Sequence, residues 1–147
     1  MMLRIESLCL KAIKEDAASN YPDEGCGLLL GSDGPEKEIG RMVKEFFPTP
    51  NRWEDEEKRR RFSITASDFL AAEIKAQERG LEIIGIYHSH PDHKPIPSDY
   101  DLEKAWPFYS YLIVEVVKGQ IGSMASWRLL GDRTKFTFED LLVEPKP

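Results

Sequence analysis

Tyr111 to Val117 reads Tyr-Leu-Ile-Val-Glu-Val-Val, a continuous run rich in apolar and β-branched residues. A run of that kind suits a strand covered on both faces, because a strand with one wet face would alternate. The rest of the chain must supply the covers, and it interleaves helical with extended patterns. Ile5, Leu8, Cys9, Ala12, Ile13 and Ala17 recur at helical spacing, predicting a helix from about Ser7 to Ser19 that ends before Asn20-Tyr21-Pro22. Glu24 then opens a strand through Cys26–Leu30, Ser32-Asp33-Gly34-Pro35 is a turn, and Glu38 to Phe47 returns until Pro48, Pro50 and Asn51 break it. Phe62 to Ile64 reads as a short strand, and Ser67 caps a helix carrying Phe69, Leu70, Ile74 and Ala76 to Gly80. Leu81 to His90 is a strand and Ser98 starts a helix; Ile121 to Leu130 and Phe136 to Phe138 are the last strands. Strands interleaved with helices point to an α/β sandwich with a mixed sheet.

At 147 residues the chain is expected to be one domain, large enough for a core without staples. No apolar stretch approaches the roughly 20 residues needed to span a bilayer. The start, Met-Met-Leu-Arg-Ile-Glu, is not a secretory signal. The expected setting is therefore cytoplasmic, with Cys9 and Cys26 as free thiols. A net charge of -6 argues against a nucleic-acid partner, which would want a basic face.

The chemistry concentrates between His88 and Asp101. His88 and His90 close an apolar run, and side chains two apart on a strand point to the same face. Asp101 follows a Pro-punctuated loop and lies three residues after Ser98, so the two share a helix face. Two imidazoles and a carboxylate give three N/O ligands and leave a fourth position open, the pattern of a hydrolytic zinc. Each piece has a plainer meaning. Ser98 with Asp101 after Pro97 is also an ordinary helix N-terminus, and a His-x-His pair is often a satisfied polar pair. The chain has three histidines, however, and His88, His90 and His93 all fall within six positions.

His88, His90, Pro91, Ser98 and Asp101 resemble the signature of the JAMM (MPN-plus) metallopeptidases, His-x-His-Pro followed by a serine and, three residues on, an aspartate. The stretch Glu24-Gly25-Cys26-Gly27-Leu28-Leu29-Leu30-Gly31 looks like that family's upstream glutamate block. The resemblance implies a mixed sheet packed between helices, an α-β-α sandwich similar to cytidine deaminases. It also implies one zinc per chain on His88, His90 and Asp101, lowering the pKa of a bound water to about 7. Glu24 is then the general base that passes the water's proton to the departing amine, and Ser98 donates to the developing oxyanion.

The implied substrates are ubiquitin-like or sulfur-carrier proteins cut after a C-terminal glycine, with the thin tail adding as a strand to a sheet edge. A scaffold that binds ubiquitin-like proteins without catalysis is the alternative, although every ligand position is filled. A zinc deaminase would need His-x-Glu and Pro-Cys-x-x-Cys, and neither is present. Three side features remain. Trp53 to Arg61 carries acid-before-base pairs four apart and is expected as a short solvated helix, with a mobile flap as the functional alternative. His93 is expected to face solvent rather than bind metal, and Cys26 to pack as a small hydrophobe.

Overall fold

The computed structural model describes residues 2–33 and 40–145. Seven strands form one mixed sheet in the order β1-β3-β2-β4-β5-β6-β7, closed by pairing of the first with the last. They are β1 (Met2–Glu6), β2 (Cys26–Ser32), β3 (Arg41–Thr49), β4 (Glu82–Pro91), β5 (Ser110–Val117), β6 (Gln120–Leu129) and β7 (Phe136–Glu144). Helices α1 (Ser7–Asn20), α2 (Ala66–Glu78) and α3 (Asp99–Lys104) join them, with a 3-10 turn at Glu56–Arg59. β1 runs parallel to both β3 and β7, and β4 runs parallel to β5. The remaining ladders are antiparallel.

Both faces of β5 are covered, as its composition requires. Leu112, Val114 and Val116 pack with Cys9, Leu10, Ile13 and Ala17 of α1, inside the curve of the sheet. Tyr111 packs outward, with Ile86, Leu28, Leu30 and Ala72 and Ala76 of α2. The two cores therefore lie on opposite faces of one closed mixed sheet. Curvature is what lets a single helix touch strands from β1 round to β7.

Several local expectations change. β1 was hidden in the sequence because Leu3 and Ile5, both fully buried, lie directly before a helix whose periodicity absorbs Ile5. Pro48 does not end its strand: β1 pairs with β3 only at Arg41–Val43, so Pro48 sits where that side has no ladder and its missing N–H costs nothing there. The expected turn at Ser32–Pro35 and the start of the next strand at Glu38 fall largely outside the described residues. Thr65, rather than Ser67, caps α2, its hydroxyl accepting from the Asp68 N–H at 3.2 Å. Phe62–Ile64, expected as a short strand, joins no strand ladder. Its partner is a side chain: Asn51 Oδ1 accepts from the Ser63 N–H at 3.2 Å, while the Arg52 N–H donates to the Ser63 carbonyl at 3.0 Å.

Candidate metal centre

β4 carries His88 and His90 on one face, held between β2 (Cys26 opposite His88) and β5 (Ile113 opposite His88). The chain then crosses Pro91–Pro97 into α3. Ser98 caps that helix reciprocally: its Oγ accepts from the Asp101 N–H at 3.0 Å, and its own N–H donates to Asp101 Oδ2 at 2.9 Å. The cap aims Asp101 back at the strand. His88 Nε2 and His90 Nε2 lie 3.1 Å apart, and each is 3.3 Å from Asp101 Oδ2. Three ligand atoms on a tetrahedron with bonds of about 2.0 Å would stand about 3.3 Å from one another.

Protonation fits the same arrangement. His90 Nδ1 lies 2.8 Å from the Lys94 carbonyl, which can only accept, so Nδ1 carries a proton and Nε2 is the ring atom turned toward the cluster. Burial pushes the His88 imidazole down, against the pull of Asp101, and favours its neutral form. Burial opposes the Asp101 charge too, yet the two imidazoles and the Ser98 N–H hold its carboxyl well below the ordinary carboxylate range. Converging lone pairs on two imidazoles and a carboxylate repel unless a cation or proton lies between them. The donor set and its spacing fit zinc, and these are the residues among those described that form a metal-sized cluster.

Glu24 lies outside that three-atom group, just before β2, and is only 2% exposed. Burial, and secondarily the charge of Asp101, pushes its carboxyl up to about 9. Its Oε1 has no hydrogen-bond partner, an expensive state for a buried oxygen unless something in the site takes it up. The backbone around it is pinned on every side. The Glu24 N–H donates to the Lys58 carbonyl at 2.7 Å, and its carbonyl accepts from Asn51 Nδ2 at 3.0 Å. The next residue is clasped twice by Ser89, with Gly25 N–H to Ser89 Oγ at 2.7 Å and Ser89 N–H to the Gly25 carbonyl at 3.0 Å. Gly25 must be glycine, since a Cβ there would meet the Tyr87 hydroxyl at 2.7 Å.

Two cavities of about 430 Å³ each flank the cluster. One is largely apolar, running from His88 and Asp101 past Phe62, Ile64, Phe69 and Trp106. The other is the more polar of the two and borders Glu24, His90 and Ser98. Phe62 also stacks on the His88 ring, with centroids 4.7 Å apart and planes at 21°.

His93 is exposed, its ring centroid 6.2 Å from that of His90 and perpendicular to it, and it is outside the cluster. Cys26 is buried against Thr49 Oγ1 at 3.4 Å, and burial pushes its thiol up to about 12, so it behaves as packing. Cys9 and Cys26 are both free. Trp53–Arg61 holds only the 3-10 turn, in which residues three apart align: Arg60 pairs with Glu57, and the pairs expected four apart are not formed. Asn51, Ser89 and Phe62 were not expected at the site. Of these, only Asn51 had been singled out, with Pro48 and Pro50, as a break in its strand.

A family described as prokaryotic homologs of the JAB domain matches residues 7–130. The chain is 33% identical over 105 residues to a desampylase of Haloferax volcanii, covering 71% of this chain and 70% of that protein. It is 28% identical over 134 residues to a CysO-cysteine peptidase of Mycobacterium tuberculosis, covering 88% and 84%. A solution structure of a Salinibacter ruber protein superposes with a TM-score of 0.75 at 39% identity, covering 96% of this chain and 91% of that one. Fold and relatives together define a hydrolase of the peptidase class. Within that class the chain belongs to the prokaryotic homologs of the JAB domain, the prokaryotic branch of the JAMM/MPN proteins.

Proposed function

We propose that the protein is a zinc-dependent isopeptidase or peptidase that hydrolyses the bond after the C-terminal glycine of a ubiquitin-like or sulfur-carrier protein. The observation that carries this reading is a three-atom N,N,O cluster at tetrahedral spacing beside a buried, unpartnered carboxyl. His88, His90 and Asp101 hold one zinc per chain. A zinc ion bound by three such ligands supplies Lewis-acid chemistry, acidifying water to a pKa of about 7 and polarising a carbonyl. Glu24 accepts the proton of the attacking water at its free carboxylate oxygen and delivers it to the departing nitrogen. A cation bound beside it would favour the charged form of this buried carboxyl, freeing it to take a proton before giving it up. Ser98 Oγ already accepts from the Asp101 N–H, which leaves its own hydrogen to donate to the substrate carbonyl oxygen as charge develops there.

The names desampylase and CysO-cysteine peptidase support a small carrier protein as substrate. A glycine-ended tail is thin and extended, and the Phe62–Ile64 stretch offers it an edge. Ser63 turns both its backbone groups toward Asn51 and Arg52, so those of Phe62 and Ile64 face the other way, as in any extended strand. Among the described residues no helix is long and apolar enough to cross a membrane. Two free buried thiols support a cytoplasmic setting.

The test combines metal analysis with cleavage of carrier proteins bearing C-terminal extensions. About one zinc per chain and cleavage immediately after the terminal glycine are expected. A chain that hydrolyses such carriers equally well without metal would sink the proposal.

A further inference from the structure

Polar groups gather behind the site, in the core between α1 and the sheet. Tyr87 is fully buried there, on the face of β4 opposite His88 and His90, and packs with Ile13, Leu29 and Leu112. Its hydroxyl donates to Asp16 Oδ2 of α1 at 3.0 Å. Asp16 is poorly placed for its own sake. Burial pushes its carboxyl up, and it stands about one turn from the C-terminal end of α1, where a negative charge opposes the helix dipole and no basic residue follows. What the two side chains hold is Gly25. A Cβ on Gly25 would meet the Tyr87 hydroxyl at 2.7 Å and both Asp16 Oδ2 and Asn20 Nδ2 at 3.0 Å, so three polar groups fill the space a side chain would take. Asn20 Nδ2 is itself tied to the Asp16 carbonyl at 2.8 Å. The Ser89 clasp grips the backbone of the same glycine from two residues further along β4.

Gly25 is the single residue between Glu24 and the start of β2, so it sets the direction in which Glu24 leaves the sheet. Glycine is the residue least able to hold a direction by itself, and the restraint must come from its surroundings. Glu24 Oε1 has no hydrogen bond to steady it either, which leaves the backbone to do the aiming. Resting on the function proposed above, we infer that Asp16 and Tyr87 are positioning residues that fix Gly25 from the core side and so keep the Glu24 carboxyl directed at the water it deprotonates. Both lie outside the three-atom cluster, and neither takes or gives a proton in the reaction. The Lys58 carbonyl and Asn51 Nδ2 hold the Glu24 peptide from the loop side, and this pair supplies the opposing restraint. An offset of an ångström in a reacting group costs on the order of 10²-fold in rate, so a tether of this kind acts on the chemical step.

The experiment uses the full chain carrying Tyr87→Phe, which removes the hydroxyl and keeps the ring in the core, and it reads two properties. In the metal-free chain, amide hydrogen exchange at Gly25 should quicken about 10-fold while the Leu28, Leu29 and Leu30 amides keep their rates. In the zinc-loaded chain acting on a carrier with a C-terminal extension, kcat per bound zinc should fall about 10- to 100-fold with KM unchanged. Asp16→Ala should do the same, and Asp16→Asn, whose amide oxygen still accepts from Tyr87, should regain most of the loss. In a Glu24→Gln background Tyr87→Phe should take nothing further from the residual rate, because the tether acts through that carboxyl. A full further loss there, or exchange that quickens equally along β2, would reduce the pair to general packing and overturn the inference. An unchanged kcat in Tyr87→Phe would overturn it too and leave the proposed function standing. An unaltered chain that cleaves no carrier would overturn both. Asp16 is only partly buried, so its two variants decide the matter if Tyr87→Phe folds poorly.

Discussion

The metal cluster and the Asn51–Thr65 segment meet at the same site but are built in opposite ways. His88, His90 and Asp101 come from 14 consecutive positions, and two local rules place them: strand alternation and a helix cap. Glu24 gets its place from contacts far along the chain, through the Lys58 carbonyl, Asn51 Nδ2 and Ser89. On the proposed mechanism, binding the ion and doing chemistry beside it depend on different parts of the molecule, and should come apart under mutation.

The largest effect should fall on the local half. Alanine at His88, His90 or Asp101 should abolish both zinc occupancy and hydrolysis, since two ligands cannot maintain the site. Full occupancy by metal analysis in any of the three would break the proposed coordination. Glu24→Gln comes next: it should retain zinc and fold yet lose activity by about 10²–10⁴, because an amide cannot carry the proton. Near-normal turnover would remove Glu24 from the mechanism.

The same variant sharpens the comparison through pH. Burial raises the Glu24 carboxyl from 4.5 to about 9, so the folded chain holds this proton more tightly than the unfolded one. The contribution is fully present below pH 4.5 and is lost as pH rises toward about 9. Metal-free protein should therefore lose on the order of a few kcal/mol of stability between pH 5 and pH 8.5 from this group. Urea unfolding at the two pH values should show a flatter dependence in Glu24→Gln; identical slopes would mean the carboxyl is not so buried. The smallest effect belongs to Asn51→Ala, which cuts the ties to the Glu24 and Arg61 carbonyls. It should keep zinc, cost about 1–3 kcal/mol of stability and lower kcat roughly 10-fold. An unchanged kcat would show that the long-range half needs no such anchor.

This division also explains what could be read from residues alone. The ligand strand, the Ser98 helix and the doubly covered β5 were legible because a period of two, a cap and an unbroken apolar run are properties of neighbouring positions. Glu24 was picked out only through the Gly-Cys-Gly context that follows it, and nothing nearby told what would bury it. β1 escaped because Leu3 and Ile5 are too few to show alternation before the helix begins. Asn51 was taken as a strand breaker, whereas its amide does the work of a partner strand for Ser63 and Arg61. Four charged pairs suggested an α-helix over Trp53–Arg61, yet the backbone there bends to bring the Lys58 carbonyl to Glu24, and a tighter turn results.

Ser89 stands between the two histidines and points the opposite way, to the inner side where it clasps Gly25. A slip of β4 by one residue would carry both imidazoles into the core and the serine out to the cluster, losing ion and proton shuttle in one step. No partly active misfold is then available to this strand. Metal uptake on the proposed ligands would then act as an inspection of the finished sheet, favouring by mass action the chains that closed in the correct register.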